Sequence, residues 1–227
     1  MARRSRWWGW GEDAHAGSLP AAALPLLRDE LGADGAARGP VAIADVRLAE
    51  PALAGPLLDR LRAVAGVTTD RVTRVVHAAG KGYVDLVRLR AGQPEDAPDA
   101  VVRPGDEAAV QAVLELCAAE RIAVVPFGGG TSVVGGLTPV REGYAGVISL
   151  DLGGLTGVSR LDERSGTATV RAGTQGPELE AELGSQGWTL GHFPQSFEYI
   201  SIGGAVATRS AGQASTGMGR IDALTAG

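Results

Sequence analysis

The sequence predicts an α+β fold of the α/β kind, and three observations carry that prediction. Short apolar runs alternate with segments of helical spacing. From Ala100 to Phe127 they read strand, helix, strand, a βαβ-like unit. The second of those strands runs directly into Gly128-Gly-Gly-Thr-Ser-Val133, and open α/β sheets bind ligands at the carboxyl ends of their strands.

The elements follow in order. Residues 1–20 carry the aromatic cluster Trp7, Trp8 and Trp10, which either docks onto the core or stands exposed as a contact patch; docking is the expectation. Leu24 to Leu31 reads as a short helix stopped by Gly32. Leu57, Leu58, Leu61, Val64 and Ala65 have helical spacing, closed by Gly66. Val72 to Val76, rich in β-branched residues, reads as a short strand. Gln93 to Pro98 is polar and proline-bearing, and a boundary is placed there, giving an N-terminal helical/strand module at 1–96 and a second domain at 97–227.

After the boundary, Ala100 to Val102 is a strand and Asp106 is the N-cap of a helix whose apolar face is Val110, Val113, Leu114 and Cys117. Ile122 to Phe127 is the strand ahead of the glycine loop. Gly146 to Leu152 is apolar. Gly157 to Leu161 and Thr167 to Ala172 flank a hairpin signal, Asp162 to Gly166. Pro177 opens a helix that Gly187 stops. A second glycine- and hydroxyl-rich segment follows, in which Ser201-Ile-Gly-Gly204 opens a helix whose amides would face a second anion.

The first glycine loop is the most informative stretch. Three residues without Cβ let the backbone turn so that successive N–H groups point into one concavity, which suits an anion such as a pyrophosphate. The loop holds no Lys or Arg, so binding would come from oriented dipoles. It is not a P-loop, which needs Lys after its last glycine, nor a dinucleotide fingerprint, because Val133 stands where the third glycine belongs. Asp151 lies near the ribose-binding spacing of that fingerprint, a coincidence on this reading. The competing reading is a tight turn with no ligand.

Composition bounds the rest. The chain has 227 residues, 44% of them hydrophobic, and a net charge of −5. Nucleic acid is therefore not expected as a partner. No run of 18 apolar residues exists, so no transmembrane helix is expected. The basic start, Met1 to Arg6, leads into tryptophans and charges and not into an apolar signal core. The single Cys117 suits a reducing compartment and reads as a buried thiol. A cytoplasmic location is the expectation. The three histidines, His15, His77 and His192, are too scattered for a metal site.

Two loops of this kind with a hairpin between them are more specific than either alone. The stretches His77 to Tyr83, Leu89 to Gly92, Pro126 to Val133, Ile148 to Asp151, Val170 to Gly173, Gly191 to Glu198 and Gly203 to Ser210 resemble the FAD-linked oxidases of the vanillyl-alcohol oxidase type. Within them the alkyldihydroxyacetonephosphate synthase branch is the most similar. The resemblance implies a PCMH-type FAD-binding domain, incomplete at its C-terminus, so that the chain looks like an amino-terminal part. It implies that Phe127, Gly128, Gly129, Gly130, Thr131, Ser132 and Val133 hold the FAD pyrophosphate. Pro194, Gln195, Ser196, Glu198, Ile200, Ser201, Gly204, Ala207, Thr208, Arg209 and Ser210 would line the remainder. The family pattern has Asp at Gln195; Gln keeps the reach and drops the charge. The first loop holds no His, so non-covalent FAD is expected.

Further expectations rest on that resemblance. No catalytic residue is assigned, and substrate would bind mainly outside this chain. His77 is expected to buttress structure, while His192 is a candidate to touch flavin or substrate. Arg209 faces either a phosphate or flavin oxygen or a surface ion pair, and Glu198 is read as orienting. Three functions are carried. The first is alkyl-for-acyl exchange on dihydroxyacetone phosphate, as in ether-lipid synthesis. The second is oxidation of a 2-hydroxy acid of the glycolate or D-lactate kind. The third is a non-catalytic FAD-binding remnant. The full-length protein is compatible with a homodimer.

Overall fold

The computed structural model describes residues 5–15, 20–32 and 39–227. The helices in chain order are α1 (Ala23–Leu31), α2 (Gly55–Arg62), α3 (Arg71–Val76), α4 (Tyr83–Arg90), α5 (Glu107–Ala119), α6 (Gly176–Gly184), α7 (Ile202–Ala207) and α8 (Ser215–Met218). The strands are β1 (Gly66–Thr68), β2 (Ala100–Arg103), β3 (Ile122–Phe127), β4 (Gly146–Asp151), β5 (Val158–Asp162) and β6 (Thr167–Val170).

Four strands form one sheet in the order β1-β2-β4-β3. β4 lies between β2 and β3 and is parallel to both, while β1 runs antiparallel to β2. Every residue of β4 is buried, which is why Gly146-Val-Ile-Ser-Leu-Asp151 reads as a continuous and not an alternating run. Helix α5 is the crossover from β2 to β3. Asp106 caps it by accepting the Ala109 N–H at 2.8 Å, and Val113 and Cys117 bury its inner face. Burial pushes the Cys117 thiol up to about 11, as expected for a structural cysteine. The register sets Phe127 opposite Asp151, so β3 and β4 end together at one edge.

The main core draws on both sides of the Gln93–Pro98 link. Leu53, Leu58 and Leu61 pack with Ala100, Val102, Val113, Cys117, Ile122, Ile148 and Leu150. Each buried Leu or Val in such a cluster contributes about 1.5–3 kcal/mol. Asp99, fully buried, accepts the N–H groups of Ala52 and Val147, both at 2.8 Å, and pairs with Arg141 at 2.8 Å. That carboxylate ties the segment before α2 to the sheet.

The expected elements stand with small shifts and one reversal. Gly32 caps α1 in the left-handed conformation, φ 61°. Val72 to Val76 is helical and not extended. Asp70 accepts both the N–H and the hydroxyl of Thr73 at 2.9 Å, an N-cap that starts the helix despite its β-branched residues. The tryptophan cluster docks in part: Trp7 and Trp8 are half-buried, the guanidinium groups of Arg6 and Arg90 each standing 4.9 Å from the Trp8 ring centre, while Trp10 is exposed. Among the described residues no helix is long and apolar enough to cross a membrane, and no group of His, Cys, Asp and Glu could hold a metal ion.

Candidate functional site

The turn after β3 is shaped by close approach to a distant segment. A Cβ on Gly128 would lie 2.0 Å from the Ser201 Oγ, and one on Gly129 1.8 Å from the Tyr199 carbonyl oxygen. Real Cβ atoms do not tolerate such distances, so only glycine lets the two loops press together. Beside this contact opens a cavity of about 630 Å³. Its wall is made of Pro126 to Val134, Gly136 and Leu137 on one side. Leu152, Ala172, Ser196, Ile200, Ser201, Gly203, Gly204, Ala207, Thr208 and Ser210 complete it.

Donors dominate the first side. The backbone N–H groups of Gly128 through Val134 reach no acceptor among the described residues. Seven successive residues with unpaired amides, all lining one cavity, form an anion nest. The hydroxyls of Thr131, Ser196 and Ser210 likewise have no protein partner among those residues. The Ser132 Oγ is used locally, accepting the Gly136 N–H at 3.2 Å. The wall contains no charged side chain, no His and no Cys.

The second glycine-rich segment behaves differently. The N–H groups of Ile202 and Gly203 donate to the carbonyls of Thr174 and Ala172 at 2.9 and 2.8 Å. The Gly204 N–H is capped by the Ser201 Oγ at 3.3 Å. Helix α7 therefore presents no free amides, and the expectation of a second anion-facing surface there is corrected. It supplies wall, not donors.

Most of the residues expected at a cofactor meet in this cavity: Phe127 to Val133, Ser196, Ile200, Ser201, Gly204, Ala207, Thr208 and Ser210. Pro194, Gln195, Glu198 and Arg209 do not line it. Pro194 is buried, whereas Gln195 and Glu198 are exposed. Arg209, with φ 52°, pairs with Asp222 at 2.8 Å, which is the surface-ion-pair alternative. That contact, with Arg220 adding to it, holds the Asp222 carboxyl below its usual range. The wall residues that motif reading passed over are Pro126, Val134, Gly136, Leu137, Leu152, Ala172 and Gly203. Leu152 directly follows β4 at the same sheet edge as the glycine loop, a positional signal that topology would have supplied.

Two histidines are buried outside the cavity lining. His77 is buried, its Nδ1 2.8 Å from the Thr73 carbonyl and its Nε2 3.2 Å from Asp151. Its ring lies 4.1 Å from that of Phe127. Asp151 also accepts from Arg103 at 3.0 Å and from the Gly153 N–H at 3.1 Å, so it is turned inward and is no ribose ligand. His192 is buried without a partner for either ring nitrogen among the described residues. Burial pushes its pKa down, which keeps it neutral near pH 7.

Residues 98–226 match the family described as FAD binding domain. The chain belongs to that family. The chain is 37% identical over 180 residues to alkyldihydroxyacetonephosphate synthase of Trypanosoma brucei brucei, covering 78% of this chain and 29% of that protein. It is 38% identical over 154 residues to the enzyme of the same name from Dictyostelium discoideum, covering 67% of this chain and 25% of that one. A solved alkyldihydroxyacetonephosphate synthase superposes over 97% of this chain and 46% of its own, with TM-score 0.86 and 29% identity. The chain thus spans less than a third of the length of these curated relatives. The unpaired amides, the free hydroxyls and the absence of carboxylates from the cavity wall fit the pyrophosphate of FAD.

Proposed function

We propose that this chain forms the cofactor-holding part of a flavoenzyme similar to alkyldihydroxyacetonephosphate synthase. The observation that carries the reading is the run of unpaired amides from Gly128 to Val134 at one cavity, within a chain that belongs to an FAD-binding family. Those amides hold the pyrophosphate, with the Thr131 hydroxyl beside them. Ser196, Ile200, Ser201, Gly204, Ala207, Thr208 and Ser210 wall the remainder of the cofactor. Pro194, Gln195, Glu198 and Arg209 act on the cofactor only through the shape of the 191–200 turn and the end of α7. Residues 97–227 carry the cofactor, and β1 and α2 from the preceding segment extend and pack against the sheet that presents it.

Bound FAD supplies the reactive ring system, as flavins do. The chain's own residues bind and orient it. Because the described wall offers no carboxylate, amine, imidazole or thiol, this part of the protein holds the cofactor and moves no proton. Attachment is non-covalent, since no His or Cys lines the cavity. The whole enzyme exchanges the acyl group of an acyl-dihydroxyacetone phosphate for the alkyl group of a long-chain alcohol, releasing the fatty acid.

FAD titration of the 227-residue chain, followed by flavin fluorescence, tests the binding reading. Saturable binding is expected. Val133→Asp places a carboxylate at the cavity on an exposed position and should weaken binding by about tenfold or more. A folded, soluble chain without saturable binding would overturn the reading. Assaying the whole protein for ether formation from acyl-dihydroxyacetone phosphate and a fatty alcohol tests the reaction. Dye reduction with glycolate or D-lactate instead would replace it with the 2-hydroxy-acid activity.

A further inference from the structure

The cavity wall carries no charged side chain, yet the pyrophosphate proposed for it is a dianion. A buried cation stands behind that wall. Lys81 is 9% exposed. Its Nζ donates to the carbonyls of Arg6 and Trp7, the latter at 3.3 Å, and no carboxylate pairs with it among the described residues. Its backbone N–H donates to the Ser132 carbonyl at 2.6 Å. A Cβ on Gly80 would lie 2.1 Å from that same oxygen, and one on Gly82 3.0 Å from the Val133 carbonyl.

The glycine loop therefore turns the carbonyls of Ser132 and Val133 rearward onto Gly80-Lys81-Gly82. In a trans peptide the N–H points opposite to the C=O, and no cis bond occurs among the described residues. The N–H groups of Val133 and Val134 thus face away from Lys81, on the cavity side. From this geometry we propose that Lys81 is a positioning residue for the FAD pyrophosphate. Its backbone fixes the loop with amides forward, and its ammonium supplies from behind the positive potential that the wall lacks. This inference rests on the FAD reading above.

The surrounding charges are committed elsewhere. Arg6 pairs with Asp13 at 3.4 Å, and Asp85 accepts the Gly82 N–H at 3.3 Å. Arg90 lies over Trp8, and His77 is paired with Asp151. Burial alone pushes the Lys81 ammonium down to about 8. It is therefore charged at pH 7 and mostly neutral at pH 9, a window in which the FAD pyrophosphate keeps its charge.

The experiment is FAD titration of the full chain and of Lys81→Met, Lys81→Arg and Val133→Asp at pH 7 and pH 9, with tryptophan emission recorded alongside. The expected result is that Lys81→Met weakens binding about tenfold at pH 7. The unsubstituted chain should lose a similar factor between pH 7 and pH 9, and Lys81→Met should lose none. Lys81→Arg should keep its affinity at both. Equal pH profiles in the unsubstituted chain and Lys81→Met would overturn the proposal. So would a loss of affinity in Lys81→Met that appears only with a shift in the emission of Trp7 and Trp8, because Lys81 would then be merely an anchor for the N-terminal segment. Unchanged binding by Val133→Asp would instead sink the cavity reading, an outcome distinct from any involving Lys81.

Discussion

The two glycine-rich loops look alike in sequence and differ in the fate of their amides. After β3, residues 128–134 leave seven N–H groups without an acceptor among the described residues. At the start of α7, residues 202–204 spend theirs on Thr174, Ala172 and Ser201. The two loops also need their glycines for different partners. Gly128 and Gly129 meet Ser201 and Tyr199, so the first loop is pressed onto the second. Gly203 meets Ala172. Glycine content marks a close approach of backbone. What that approach leaves for a ligand depends on which donors the neighbouring chain has already taken.

The largest expected effect breaks the comparison at its contact point. Gly129→Ala drives a Cβ against the Tyr199 carbonyl, a backbone atom that cannot swing aside, and should cost about 3 kcal/mol or more in urea denaturation. Gly203→Ala, whose Cβ would meet the Ala172 Cβ at 2.7 Å, should cost less, and Gly154→Ala, with open space around it, close to nothing. Gly129→Asp is for that reason a poor charge probe. Equal losses at Gly129 and Gly203 would show that the loops are not differently constrained.

Next comes ligand affinity. Val133→Asp should weaken FAD binding by about tenfold or more without loss of stability, whereas Thr208→Asp at the C-terminal end of α7 should weaken it less. An equal or reversed order, read by fluorescence titration, would move the anion site to α7. Ser201→Ala removes the cap of α7 and should cost about 1 kcal/mol in thermal or urea unfolding. It also frees the Gly204 amide, so any gain in phosphate affinity would show that the second loop lacks only a free donor.

The smallest effect is a matter of pH. Lys81 has a lowered pKa in the folded chain, so the unfolded chain binds more protons above about pH 8. Stability without ligand should then rise by about 1 kcal/mol from pH 8 to pH 9, while FAD affinity falls. The raised pKa of Cys117 acts in the opposite sense, lowering stability as pH climbs through the ordinary thiol range near 9. Urea midpoints at the two pH values check this, and Lys81→Met should lack the rise.

Local signals carried much of the fold. Asp106 before an apolar helical face, Gly32 after one, and the run Ile122 to Phe127 each specify an element through hydrogen bonds or burial within a few residues. Val72 to Val76 misled because β-branching was weighed above the Asp70 cap two residues ahead. At the site, the glycines located both loops. Which members line the cavity was not legible, as Arg209 shows: its motif position suits a phosphate, but Asp222, thirteen residues on, takes its guanidinium.

By itself the sequence determined the strand–helix–strand unit from Ala100 to Phe127, the two glycine loops and the family resemblance, since all three reside in short-range pattern. Only the tertiary structure decided which amides stay free, that α7 is a wall, that β1 and α2 share one core with β2, β3 and β4, and that Lys81 meets no carboxylate among the described residues. A backbone donor is spent or spared by acceptors far along the chain, and a buried charge is set by what surrounds it. Neither is written in the residues on either side.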